Sequence, residues 1–161
     1  MSTLKIRIQA KEQLLHVMEA DSAILSFPVS TSRFGLGEIE GSFRTPTGRF
    51  RICEKIGAEH PINTVFRGRV RVPDPPDWAT ADDLITSRIL WLDGVEDHNA
   101  NTRERYIYIH GTNQEQLIGQ AASRGCIRMR NQHVIQLFDL IDVGTEVEIC
   151  HEGHVAPENS P

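Results

Sequence analysis

His110 and Cys126, sixteen positions apart, are the residues whose types and setting could do covalent chemistry. A cysteine attacks as the thiolate, which is scarce at neutral pH in an unperturbed side chain. An adjacent imidazole can take the proton and then hold the sulfur anion as half of an ion pair. Cys126 is therefore the expected nucleophile and His110 its expected base. Gly125 precedes the cysteine, and a residue without Cβ lets the N–H groups of Gly125 and Cys126 approach a developing oxyanion. Arg124 and Arg128 flank the cysteine and are expected to make its surroundings electropositive, favouring a thiolate and an anionic substrate. From spacing alone a structural histidine and a buried, inert cysteine remain the commoner outcome.

Positioning such a pair needs a scaffold, and most of the chain reads as short strands. Leu4 to Ile8 alternates apolar with polar residues, and Gln13 to Glu19 and Ala23 to Ser30 continue in that manner. Gly35, Gly37 and Gly41 punctuate a loop, and Thr45-Pro46-Thr47-Gly48 is a turn signal before the alternation of Arg49 to Ile52. Pro73, Pro75 and Pro76 make the stretch from Val72 to Trp78 a surface excursion, since proline fits neither a helix interior nor a central strand. Ile89 to Leu92 and Tyr106 to Ile109 are the most strand-like runs, joined by a polar loop from Glu96 to Glu104. The second of them delivers His110 at its end. Two helices are expected. One is a short element near Asn113 to Ala122, and the other runs from Asn131 to Asp142 with Asn131 as N-cap and Val134, Leu137, Phe138 and Ile141 at helical spacing. Glu146 to Ile149 is a final strand. The expectation is one mainly β domain over residues 1–150 and a flexible tail over 151–161.

Composition narrows the classes of function. The chain has 161 residues, 39% hydrophobic and 24% charged, which suits a single globular domain. Its formal net charge is −5 and no stretch gathers Lys and Arg, so a nucleic-acid partner is not expected. No apolar run approaches the ~20 residues that a bilayer span requires, so no membrane partner is expected. The first nine residues carry polar or charged side chains at every second position and do not read as a secretory signal. The expected location is the cytoplasm, or the periplasm if an export segment precedes Met1. Cys53, Cys126 and Cys150 form no Cys-x-x-Cys pair, which argues against a zinc cage and weakly for a reducing compartment. Cys150, His151 and His154 cluster but lie at a probable tail, so no metal is expected. Cys53, Trp91 and Tyr108 read as core residues, and Asp97 and His98 as loop residues.

The string His110-Gly-Thr-Asn113, then Ile118-Gly119, then Ser123-x-Gly-Cys126-Ile-Arg-Met129 resembles the active-site signature of the YkuD-type L,D-transpeptidases. Thr45-Pro-Thr-Gly-Arg-Phe50 resembles a second, upstream signature of that family, and Asp142 to Val147 its usual ending. The resemblance implies an L,D-transpeptidase-like β-sandwich with one or two short helices. It also implies a peptidoglycan stem tetrapeptide as substrate, attacked by Cys126 at the bond between the diamino acid and D-Ala, with a thioester intermediate. Ser123 would hold the histidine or the active-site loop, and Gly111 would offer its carbonyl to the second nitrogen of His110. Arg124, Arg128 and Asn113 are the expected substrate-binding residues. A commoner pattern in the family has His before Gly-Cys and Asn two after the cysteine, where this chain has Arg124 and Arg128. No cofactor is implied. Water as acceptor gives an L,D-carboxypeptidase acting on soluble muropeptides, and an amine acceptor gives an exported enzyme making 3→3 cross-links. Carbapenem-like β-lactams would acylate the cysteine. A non-catalytic binder of peptidoglycan peptides is the alternative of another class.

Overall fold

A computed structural model describes residues 3–152. Strand β1 (Leu4–Gln9) pairs antiparallel with β2 (Leu14–Glu19), and β2 with β3 (Ser22–Pro28). In β1 the alternation places Ile6 and Ile8 inside while Lys5 and Arg7 face outward, as period 2 demands. On its other edge β1 lies parallel to β10 (Glu146–Cys150), which continues to β4 (Gly48–Ile56) and so to β7 (Ile85–Gly94). Gln13, the expected start of β2, sits instead in the β1–β2 turn with φ 56°, and the strand begins one residue later.

Strand β7 is the hub of the catalytic side. It holds β4 and the short β5 (Val65–Arg67) along one edge and β8 (Tyr108–Gly111) along the other. The hairpin partner of β5 is β6 (Val70–Arg71), and β8 pairs in parallel with β9 (Ile127–Met129). Every residue from Thr86 to Leu92 is buried, because β7 is covered on both faces. Leu90 and Leu92 join the main core, which also takes residues from β1, β2, β4, β8, β9 and β10 and from the helix α1 (Asn131–Leu140). Ile89 and Trp91 form a smaller cluster with Phe66 and Tyr108, and Cys126 packs against it.

Among the described residues the fold is mainly β with a single α-helix, and three expectations need correction. The segment from Asn113 to Ala122 holds only a 3-10 turn, Glu115–Leu117, because its polar side chains bond to distant backbone instead of forming a helix face. Asn131 is not the N-cap. Arg130 takes the extended cap position, and Glu115 Oε2 accepts from Asn131 N at 2.8 Å and from its Nδ2 at 2.9 Å, placing an acid at the positive helix end. Tyr106, with φ 57°, lies in a turn before β8 and not in the strand. Val134, Leu137, Phe138 and Ile141 are buried as their spacing required. Of the expected tail, His151 and Glu152 are exposed, and residues 153–161, His154 among them, lie outside the described residues.

Candidate active site

Strand β8 carries His110 into the middle of this region, opposite Ile89 of β7 on one side and Arg128 of β9 on the other. The ring is 2% exposed. Its Nδ1 donates to the Gly111 carbonyl at 2.5 Å, which fixes the tautomer and leaves the Nε2 lone pair to act as base. Gly111 has no room for a side chain. A Cβ there would lie 2.5 Å from Asn131 Oδ1 and 2.6 Å from the Thr86 carbonyl.

Cys126 immediately precedes β9, so the β8–β9 pairing brings it beside the histidine's strand. Tyr108 N–H donates to Cys126 Sγ at 3.3 Å, and the thiol donates to the Tyr106 carbonyl at 3.4 Å. Ser123 Oγ donates to the Cys126 carbonyl at 2.6 Å and accepts from Gly125 N at 3.2 Å. Ser123 therefore holds the nucleophile loop and not the histidine. The Gly125 N–H, an expected oxyanion donor, is already turned to that hydroxyl. Gly125 itself has φ 124°, a conformation that favours glycine.

The upstream signature reaches the same loop. Thr45 is fully buried, donates from Oγ1 to the Gly125 carbonyl at 2.9 Å and accepts from Ser32 N at 3.0 Å. Arg105 adds a tie, donating to the carbonyls of Gly37 at 3.1 Å and Arg44 at 2.6 Å. The sequence marked the Thr45 motif without revealing that its hydroxyl braces the cysteine loop.

Electrostatics correct the expectation of a ready thiolate. Cys126 is partly exposed, yet it is enclosed by enough protein that desolvation dominates and pushes its thiol up to about 12. The Tyr108 N–H, Arg105 and Arg128 pull it down, and Asp83 pushes it up. Burial also holds His110 below its ordinary value, against the opposing pull of Asp83 and the Gly111 carbonyl. The resting pair is a neutral thiol and a neutral imidazole. For a thiol in this state to attack a carbonyl, proton transfer would have to accompany the attack instead of preceding it.

The three expected substrate-binding residues separate. Arg124 is exposed and pairs with Asp82 at 3.7 Å. Asn113 spends its amide on the segment that joins the proline-rich excursion to β7, accepting from Leu84 N at 2.9 Å and donating to the carbonyls of Trp78 and Ala81 at 3.0 Å each. Arg128 alone is inside, its Nη1 bonded to Asp83 Oδ1 at 2.9 Å and Gln114 Oε1 at 2.8 Å. Asp83 and Gln114 are site residues that sequence reasoning missed, with no local pattern to mark them. Among the described residues no group of His, Cys, Asp and Glu is arranged to hold a metal.

A buried His with its Nδ1 on a carbonyl and a Cys on a braced loop of a β scaffold are the groups that acyl transfer through a thioester would use. The YkuD profile, described as the L,D-transpeptidase catalytic domain, matches residues 4–149, and the chain belongs to that family. YqjB of Bacillus subtilis (strain 168), which carries an L,D-transpeptidase name, is 36% identical over 108 residues, 67% of this chain and 53% of the relative. ErfK/SrfK of Escherichia coli (strain K12), similarly named, is 51% identical over 48 residues, 30% of this chain and 16% of its own. The chain thus spans about half the length of the first of these relatives. An L,D-transpeptidase structure from Xylanimonas cellulosilytica superposes with a TM-score of 0.61 at 18% identity, covering 92% of this chain and 61% of its own. The L,D-transpeptidase LdtMt1 in complex with imipenem gives 0.59 at 17%, covering 92% and 59%.

Proposed function

We propose that this enzyme transfers the acyl group of a peptidoglycan stem tetrapeptide through a thioester on Cys126, with water as acceptor, acting as an L,D-carboxypeptidase on soluble muropeptides. The observation that carries the reading is the His110–Gly111–Cys126 arrangement within a domain of this family. His110 takes the thiol proton as sulfur bonds to the carbonyl carbon of the diamino acid. The C–N bond then breaks and the same proton leaves on the amine of D-Ala. Water, deprotonated by His110, cleaves the thioester and restores the thiol. A cytoplasmic setting is part of the proposal. A carbapenem would acylate Cys126 in place of the stem, a reading supported by the imipenem complex of LdtMt1.

The test is incubation of the purified protein with a disaccharide-tetrapeptide, with and without a second stem as amine donor, followed by mass spectrometry. Loss of one D-Ala without dimers, abolished in Cys126→Ala, supports the carboxypeptidase. Dimers formed with D-Ala release instead identify a 3→3 cross-linking enzyme and refute water as the acceptor. Retained binding with no turnover identifies a non-catalytic binder.

A further inference from the structure

Arg128 presents an unusual combination. Its side chain is 2% exposed, it stands opposite His110 across the β8–β9 pair, and its charge reaches both His110 and Cys126. Both protein acceptors, Asp83 Oδ1 and Gln114 Oε1, converge on Nη1. Nε and Nη2 are buried without a partner. A buried guanidinium that leaves two N–H positions unused is costly unless an acceptor joins it in the working state. Those two N–H groups share one edge of the planar group, the edge that grips a carboxylate by two parallel bonds.

We propose that Asp83 and Gln114 hold Arg128 by Nη1 so that its Nε–Nη2 edge receives the free α-carboxylate of the amino acid released from the substrate. This rests on the acyl-transfer reading above. In that reaction the nitrogen that takes its proton from His110 leaves as the amine of an amino acid, whose carboxylate is one carbon away. The cation that stands beside His110 is therefore on the leaving-group side of Cys126. Asp83 and Gln114 act as positioning residues, and Arg128 makes the contact. A side chain this buried is reached only when a neighbouring element gives way. Asp83 lies in the short segment between the proline-rich excursion and β7, one of whose attachments is the exposed pair Asp82–Arg124 at 3.7 Å, a type of contact that holds weakly. The consequence is exopeptidase specificity: the bond cleaved is the one next to a free terminal carboxylate.

Three matched stem tetrapeptides test this with the full chain: one free, one amidated at the terminal carboxyl, and one amidated at the side-chain carboxyl of the diamino acid. Release of the terminal residue is followed by mass spectrometry. In the wild type, terminal amidation should lower kcat/KM about 100-fold, as expected for losing bonds to a buried charge, while side-chain amidation changes it little. Asp83→Asn should raise KM for the free substrate with kcat nearly unchanged and narrow that ratio to about 10-fold, and Arg128→Gln should narrow it to about threefold. Arg128→Gln strips Asp83 of its partner and can unfold the domain, so the wild-type ratio, which needs no variant, is the primary readout. Equal turnover of the free and terminally amidated substrates by the wild type overturns the proposal, as does discrimination against the side-chain amide instead. A folded Arg128→Gln that loses both substrates equally overturns it too, since a merely structural role predicts that result. Release from none of the three refutes the acyl-transfer reading itself, and the carboxylate assignment falls with it.

Discussion

Strands β1, β2 and β10 are held by regular ladders and by side chains such as Ile6, Val17 and Val147 that are buried in an apolar core. The region around Cys126 is built differently. It carries Ser30, Ser32, Thr45, Thr86, Thr112, Ser123 and Asn131, all buried and all bonding through their side chains, Thr112 and Ser123 to residues two or three positions on and the others across the fold. Asn131 Oδ1 alone accepts from Thr86 Oγ1 at 2.5 Å and Ser87 Oγ at 2.6 Å, and its Nδ2 donates to the Thr112 carbonyl at 2.9 Å. Apolar burial sets stability with little directional demand. Buried hydrogen bonds fix direction, and direction is what a nucleophile and its base require. The two regions should therefore respond differently to substitution.

The largest expected effect is at the sulfur. Cys126→Ala should abolish turnover and carbapenem acylation, with intact mass unchanged after exposure to imipenem, while thermal unfolding shifts little because alanine keeps the Cβ packed on the Ile89–Trp91 cluster and only two long sulfur hydrogen bonds are lost. A variant that keeps turnover would break the assignment of the nucleophile outright. His110→Gln should reduce kcat/KM by about a thousandfold, the usual scale for losing a general base. The wild-type pH profile sharpens this. Burial lowers the His110 pKa, so the imidazole stays neutral and competent as pH falls through 6.5, and the acidic limb should have its midpoint below that value. Because the thiol titrates near 12, alkylation of Cys126 by iodoacetamide without substrate should be slow at pH 7 and rise steadily with pH. Rapid, pH-independent alkylation at neutral pH would instead reveal a preformed ion pair.

A matched pair of substitutions separates the two regions directly. Phe50→Ala, at a fully buried side chain of β4, should cost about 3–5 kcal/mol of stability yet leave kcat of the folded fraction unchanged. Thr45→Val removes a hydroxyl that donates to the Gly125 carbonyl and accepts from Ser32 N. It should cost only about 1–3 kcal/mol but lower kcat about tenfold, because the cysteine loop loses its brace. Denaturant unfolding and steady-state kinetics on the same preparations check both. Equal kcat in the two variants would erase the distinction.

The same division explains what could be read from the chain. Alternation exposed β1, β2 and β10 because each side chain's fate there is set by its immediate neighbours, and helical spacing exposed Val134, Leu137 and Phe138 for the same reason. The motif around His110 and Cys126 singled out two residues that lie on β8 and just ahead of its partner β9. Asp83, however, lies 45 positions from Arg128, and Thr45 lies 80 from Gly125. No local pattern announces such bonds. Strand β9 has three residues, all buried, and so shows no alternation to detect. Asn131 looked like a cap because its residue type suits one, but Glu115, sixteen positions earlier, holds the helix start and frees the amide for the interior.

The smallest expected effect compares two arginine–carboxylate pairs of nearly equal length. Arg7 Nε lies 3.1 Å from Glu148 Oε1 across β1 and β10, with the side chains 37% and 44% exposed. Arg128 Nη1 lies 2.9 Å from Asp83 Oδ1, with 2% and 28%. Arg7→Ala should cost no more than about 1 kcal/mol, and less as salt is added, because water already solvates both charges and screens their attraction. Losing Asp83 leaves a guanidinium that water does not reach, so Asp83→Ala should cost about 3–5 kcal/mol with little salt dependence. Urea unfolding of both variants at low and high salt measures the difference. If the two losses and their salt responses coincide, Arg128 is as well solvated as Arg7, and the argument for its unused N–H edge fails with it.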